Sequence, residues 1–407
     1  MASNRIVIFV IGPEFINTSD GWFLTKLHYS YLHQEVLHGI LSKSNQLDAG
    51  CWMLDRDIHT IFDSFPLKMK TNLRVKLYRF TLFLIIIVAF GGCNWHKNRL
   101  QVDVSRVTIA DVKIHRYDQD LFKVPVTDLQ AGLERIQHAY FFFLGTNLND
   151  AKKLDDMKAY LENPRNIDFQ KASEIRFRNL SKVEKNLTEA FRHWKFYFPG
   201  IKIPRVYSYI SGGDYTSPVQ LADSVLIIAL DTYLGKDFKP YFADGLALYK
   251  AERMTEDHIV PDCAREIVNT TYPEPTTPMT LLGGMVEAGK RQYLVDALIP
   301  DVPGYLKMDY TKEQYSWAEK NETHVWAALV ENRLLYSSDG QYFRMFLADG
   351  PYTIEFSKDS PPRLGEWIGL QIIRSFMQKN PEVTLQMMMQ ETDAQKILTL
   401  SGYKPEK

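Results

Sequence analysis

The chain has 407 residues, with 48 Lys and Arg against 49 Asp and Glu and a formal net charge of −1 at pH 7. So even a balance excludes the basic footprint of a nucleic-acid-binding protein and any polybasic footing on anionic lipid. Hydrophobic residues make up 45% and aromatics 13%, ample for a large core, whereas three cysteines (Cys51, Cys93, Cys263) are too few and too scattered for a disulfide framework or a cysteine-rich zinc site.

In chain order, residues 1–68 show no clean periodicity, and the first strong signal follows them. The stretch FTLFLIIIVAF (80–90) is apolar apart from one Thr, but its 11 residues fall short of the roughly 20 that a membrane-spanning helix needs. Upstream, MKTNLRVKLYR (69–79) carries Lys70, Arg74, Lys76 and Arg79 and no acid; downstream, Gly91 and Gly92 precede Cys93. A basic segment, a short apolar segment and a small-residue cleavage site make a secretory signal. A Cys directly after the small pair marks a bacterial lipoprotein: diacylglycerol is attached to the Cys93 thiol, and cleavage between Gly92 and Cys93 leaves Cys93 first. Phe90 departs from the aliphatic residue usual three positions before the Cys. The expected organisation is an over-extended reading frame at 1–68, a lipoprotein signal at 69–92, a polar tether at 93–101 and one globular domain at 102–407. The lone Cys263 then reads as a buried small apolar residue rather than a nucleophile.

Within the domain, partial alternation at 102–118 predicts one or two strands. Thr127 and Asp128 open a helix ending at Gly145, and a second helix runs over 148–163 until Pro164. Leu180, Val183, Leu187, Phe191, Trp194 and Phe198 recur at steps of three and four, predicting a helix that Pro199-Gly200 ends. RVYSYISG (205–212) and SVLIIALDTYLG (224–235) read as the two strongest strands, joined by turn-rich GDYTSP; the second is apolar at nearly every position, as in a strand buried on both faces. After Pro240 the pattern is helical at 240–254, 259–270, 278–299, 311–335, 362–379 and 381–400. The expected fold class is α+β, mostly helical, with a small mixed sheet.

No Gly-rich phosphate loop, no G-x-S-x-G elbow and no HExxH helix occurs after Cys93; the six histidines there (His96, His115, His138, His193, His258, His324) are far apart in sequence. Asp231, Glu287, Asp296, Glu319 and Glu322 invite a catalytic reading, but carboxylates at strand ends and on helices are more often caps or ion-pair partners. Trp317, Val325 and Leu329 read as core. Gly365 and Gly369, four apart, permit close helix packing, and the Met run at 386–390 reads as core on a terminal helix.

The segments GKRQYLVDALIPDVPGYLKMDYTKEQYSWAEKNETHVWAALVENRLLYSSDG (289–340) and DGPYTIEFSKDSPPRLGEWIGLQIIRSFMQKNPEVTLQMMMQETDAQKILTLSGYKP (349–405), with the lipoprotein signal, closely resemble the gliding motility lipoprotein GldB family of the Bacteroidetes. The resemblance implies a component of surface gliding at the cell envelope, partnered by other gliding envelope proteins. The signal itself implies a lipid that holds the chain to a membrane, the NWHK that follows Gly92-Cys93, with no acidic run, points to the periplasm, and charge and motifs give no sign of nucleic acid or a cofactor. A more distant likeness is to zincin-type metalloproteases: the strand ending in LDTYLG and the helix IVPDCAREI stand where such enzymes carry HExxH. That likeness puts Pro261 and Arg265 in place of the two zinc ligands and Asp262 in place of the general base. Neither Pro nor Arg can coordinate zinc, so a zincin-like single domain without its metal is implied. Two other readings stand beside it. One is a metalloprotease using His258, Asp262 and Glu287; the other is a cell-wall glycan-binding lipoprotein, suggested by the abundant Trp and Tyr.

Overall fold

The computed structural model describes residues 99–276 and 279–405, together with the antiparallel pair Asn17–Thr18 and Gly21–Trp22, which belongs to a separate compact unit. Cys51, Gly92, Cys93 and the signal at 69–92 lie outside the described residues.

Four strands form one mixed sheet: β1 (Ile114–Arg116), β2 (Arg205–Tyr209), β3 (Val219–Ala222) and β4 (Val225–Ala229), in the order β1-β2-β4-β3. The first three are parallel, with Ile114 opposite Val206 and Tyr207 opposite Ile227, and β3 closes one edge antiparallel to β4. Strand β4 alternates between two cores. Leu226 and Ile228 face a large cluster that includes Val183, Leu187 and Phe191. Val225, Ile227 and Ala229 face a second cluster with Tyr117, Leu133, Phe143 and Leu161. With both faces covered, every second residue loses water on one side and its neighbours on the other, which is why the run is apolar throughout.

Helices α1 (Leu129–Gln137), α2 (Ala151–Glu162), α3 (Pro164–Arg176) and α4 (Ser181–Tyr197) precede β2. After the sheet come α5 (Ile259–Thr271), α6 (Leu281–Leu298), α7 (Lys312–Glu331), α8 (Gly340–Leu347), α9 (Leu364–Lys379), α10 (Leu385–Gln390) and α11 (Ala394–Ser401). The expectation of a mostly helical α+β fold with a small mixed sheet holds.

Several boundaries differ from the sequence reading for local reasons. Pro164 does more than end a helix. It starts α3, because Asn163 caps the new helix by accepting from the Arg165 N–H, and Pro is suited to the first helical position. The stretch at 102–118 yields only β1. The predicted loop between the two strongest strands contains β3, which turns back on β4 with Asp223 in the left-handed region at φ 51°. The expected helix at 240–254 is two short turns, the one at 381–400 breaks between α10 and α11, and α8 falls where the pattern predicts no element.

The C-terminal helices meet without side chains between them at one point. A Cβ on Gly369 would sit 1.8 Å from the Met285 carbonyl oxygen of α6, and one on Gly289 would sit 2.2 Å from the Gly369 carbonyl carbon. Gly365 does the same toward α8, where a Cβ would lie 2.9 Å from the Phe346 carbonyl oxygen. The Gly365/Gly369 spacing therefore serves helix packing. Val325, Leu329 and Met388 are fully buried, and Trp317 packs edge-on to Phe356 at 6.0 Å. Met387, by contrast, is half exposed.

Candidate functional site

Helix α5 carries the PDCAR segment and packs against the edge of the sheet, where Glu266 accepts the Leu221 N–H of β3 at 3.0 Å. Pro261 is the third residue of α5, a position whose N–H has no intrahelical partner, so Pro costs nothing there. It faces a groove of about 380 Å³ shared with α4. Arg265, one turn on, lines a different and larger cleft of about 750 Å³ between α5, α6, α8 and the start of α9. Pro261 and Arg265, about one turn apart on α5, thus line separate hollows.

Arg265, Asp309, Arg363 and Glu366 line the large cleft and belong to a lattice of opposite charges that extends beyond it to Asp262, Arg253 and Asp349. Arg265 Nη1 donates to Asp262 Oδ1 at 2.6 Å, while Nη2 donates to the Lys307 carbonyl at 3.1 Å and pairs with Asp309 Oδ1 at 2.9 Å. The other oxygen of Asp262 accepts from the Tyr233 hydroxyl at 2.7 Å. Arg363 pairs with Asp349 and with Glu366, each at 3.1 Å, and Arg253 donates to both oxygens of Asp349 at 2.9 and 3.1 Å. Burial raises the Asp262 carboxyl above its usual range, against the pull of Arg265. Asp309 goes the other way: burial alone would raise it, but Arg265, Arg363 and Arg253 hold it low. A carboxylate whose oxygens are taken by a guanidinium and a phenol is poorly placed to receive a proton from water.

Most of the other sequence candidates are likewise engaged. His258 is buried, its Nδ1 lies 2.8 Å from Thr255 Oγ1, and desolvation lowers its pKa. Glu287 pairs at 2.5 Å with Lys290, a fully buried lysine that also donates to the Glu391 carbonyl at 2.7 Å. Asp296 is bracketed by Lys307 at 2.9 Å and Arg374 at 2.6 Å. Glu322 accepts from Trp367 Nε1 at 3.2 Å and the Tyr403 hydroxyl at 2.9 Å, whereas Glu319 is exposed. Asp231 is fully buried and accepts from the Ser211 N–H, the Ser211 hydroxyl and the Gly213 N–H at 2.8 to 3.0 Å, fastening the loop after β2. Cys263 is buried with its thiol pKa raised by desolvation, an inert packing residue.

His258, Asp262 and Glu287 are not gathered as a ligand set: among the described residues no group of three His, Cys, Asp or Glu is placed to hold a metal. The structure instead brings in Asp309, Arg363, Arg253 and Asp349, none of which sequence reasoning singled out. Nothing in the sequence marked them, and what two of them share shows only in the backbone. Asp309 and Arg363 are both in the left-handed region, at φ 53° and 54°, and each sits where a helix is about to begin or has just ended.

The fold and site therefore define a mostly helical α+β protein with a mixed-charge cleft whose lattice residues are committed to one another. The sequence model of the family described as Gliding motility protein GldB matches residues 97–405. The chain belongs to that family of gliding motility lipoproteins. No curated protein and no solved structure is significantly similar to it.

Proposed function

We propose that this gliding motility protein is a lipid-anchored envelope component, facing the periplasm, that works by binding partner polypeptides and not by catalysis. Cys93 is the acylated residue in this reading, cleavage falls after Gly92, the tether is the part of 93–101 that precedes Arg99 and Leu100, which are bound to the body, and residues 1–68 are not part of the working protein. Arg265 carries the proposal. It stands where the zincin likeness requires a second imidazole, it cannot coordinate a cation, and it is locked between Asp262 and Asp309. The cleft above it keeps what a binding site needs: apolar Phe343 and Leu347 beside charged Arg344, Glu366 and Glu287. A polypeptide with alternating apolar and charged groups suits such a wall.

The test is complementation of gliding in cells lacking the protein. Cys93→Ala is expected to leave the protein unacylated, out of the membrane fraction and unable to restore gliding. Normal gliding by a soluble Cys93→Ala protein would refute the anchor. Stoichiometric zinc with chelator-sensitive peptidase activity in the purified lipidated protein would refute the non-catalytic reading.

A further inference from the structure

Near the start of the described residues the chain grips the C-terminal helices. Arg99 donates through Nη1 to the Met377 carbonyl at 2.6 Å and to the Asn380 carbonyl at 3.3 Å, and through Nη2 to the Val383 carbonyl. These carbonyls belong to the C-terminal end of α9 and the turn into α10, where helical C=O groups lack intrahelical partners and a cation is favoured. Leu100 is buried, and its carbonyl accepts from the Tyr197 hydroxyl at 3.4 Å at the end of α4. Gln386 of α10 donates to the Tyr197 carbonyl, so α4, α9 and α10 meet at one corner, with the N-terminal segment bound to it. Phe196 and Met387, the sequence neighbours of Tyr197 and Gln386, are exposed apolar side chains, at 42% and 50%.

We infer that this corner, formed by the ends of α4 and α9 and the start of α10, is the face that lies against the lipid bilayer. The inference rests on acylation of Cys93. Six residue steps separate Cys93 from Arg99, about 20 Å at full extension. A body of this size is on the order of 50 Å across, so so short a leash keeps the Arg99 corner nearest the membrane. The anchor supplies the affinity and a high local concentration of lipid, so Phe196 and Met387 have only to bias the orientation that the leash already favours. The cleft residues Arg363 and Glu366 lie at the opposite end of α9, a helix of 16 residues and about 24 Å. The same orientation holds the cleft away from the bilayer, open to a partner.

The experiment uses the full-length protein, acylated in cells and reconstituted into phosphatidylethanolamine and phosphatidylglycerol vesicles. Phe196→Cys, Met387→Cys and Ile354→Cys are each labelled with a polarity-sensitive fluorophore. Ile354 is 74% exposed and adjoins Thr353, which is bonded to Pro361 just before α9 begins, so it reports on the far end of that helix. Cys263 is buried and does not label. Brominated lipid is expected to quench the labels at 196 and 387 by about twofold or more and to leave 354 unchanged. Flotation with the vesicles but equal quenching at all three positions, or none at any, overturns the docking face and leaves the anchor standing. Failure to float overturns the anchor, and the docking face with it. An Arg99→Ala protein, which lengthens the leash, is expected to lose part of the quenching at 196 and 387 while still floating; unchanged quenching would mean that the corner is not what sets the orientation.

Discussion

Asp231 and Asp309 are both aspartates enclosed by the fold, and they are stabilised by opposite means. Asp231 meets only dipoles, two backbone N–H groups and a hydroxyl, and burial pushes its carboxyl up. Asp309 is also penalised by burial, but the guanidiniums of Arg265, Arg363 and Arg253 outweigh it and hold the carboxyl down. The first is a latch on a loop that tolerates neutralisation. The second is a fixed anion in a lattice where each charge needs its neighbours.

Breaking the lattice gives the largest expected effect. Arg265→Ala leaves Asp262 and Asp309 enclosed without their shared cation and should cost about 3–5 kcal/mol in urea unfolding at pH 7. A loss under about 1 kcal/mol would mean that the lattice is not a closed set of charges.

Asp309→Asn comes next, at about 3 kcal/mol, since Asn tolerates the left-handed backbone there and only the charge is removed. The pH dependence sharpens the comparison. The folded pKa of Asp309 is below its ordinary value of 3.8, so its contribution is present above that value and fades as pH falls through the lower, folded one. The deficit of Asp309→Asn should therefore shrink in acid.

Asp231→Asn should cost about 1–3 kcal/mol, because an amide cannot accept all three donors. Its sign with pH is reversed. The folded pKa is raised, so the carboxyl's contribution is complete below 3.8 and is lost as pH rises through the folded value. The deficit of Asp231→Asn should be larger near pH 4 than at pH 7. Parallel trends for the two variants in unfolding measured from pH 3 to pH 7 would contradict the contrast between them.

The smallest stability effect belongs to the cleft rim. Arg344 is exposed, so Arg344→Glu should change stability by no more than about 0.5 kcal/mol. It should nevertheless impair gliding if the cleft binds a partner.

The residues that were legible in the sequence are those that act through periodicity. β4 shows its double burial in five successive apolar residues, and α4 shows its buried face in the three-and-four recurrence of Val183, Leu187 and Phe191. The glycine junction was half visible: Gly365 and Gly369 pointed to close packing, but their partners on α6 and α8 are separated from them in sequence. β3 and α8 were missed because a four-residue edge strand and an eight-residue helix carry too few positions for a period to show. The charge lattice was almost invisible. Arg265 reaches Asp262 within one helical turn, but Asp309 lies 44 residues on and Arg253 meets Asp349 across 96. Pairings of that kind are made by the fold and leave no local pattern.

The most direct test of partner binding over catalysis is photo-crosslinking from the cleft. A benzophenone amino acid replaces Phe343 in the acylated protein, in cells that glide. The prediction is a crosslink to another gliding envelope protein of unchanged length, lost in Arg344→Glu. A membrane-bound protein that captures nothing, or that carries crosslinked peptide fragments cut at a defined bond, would contradict it.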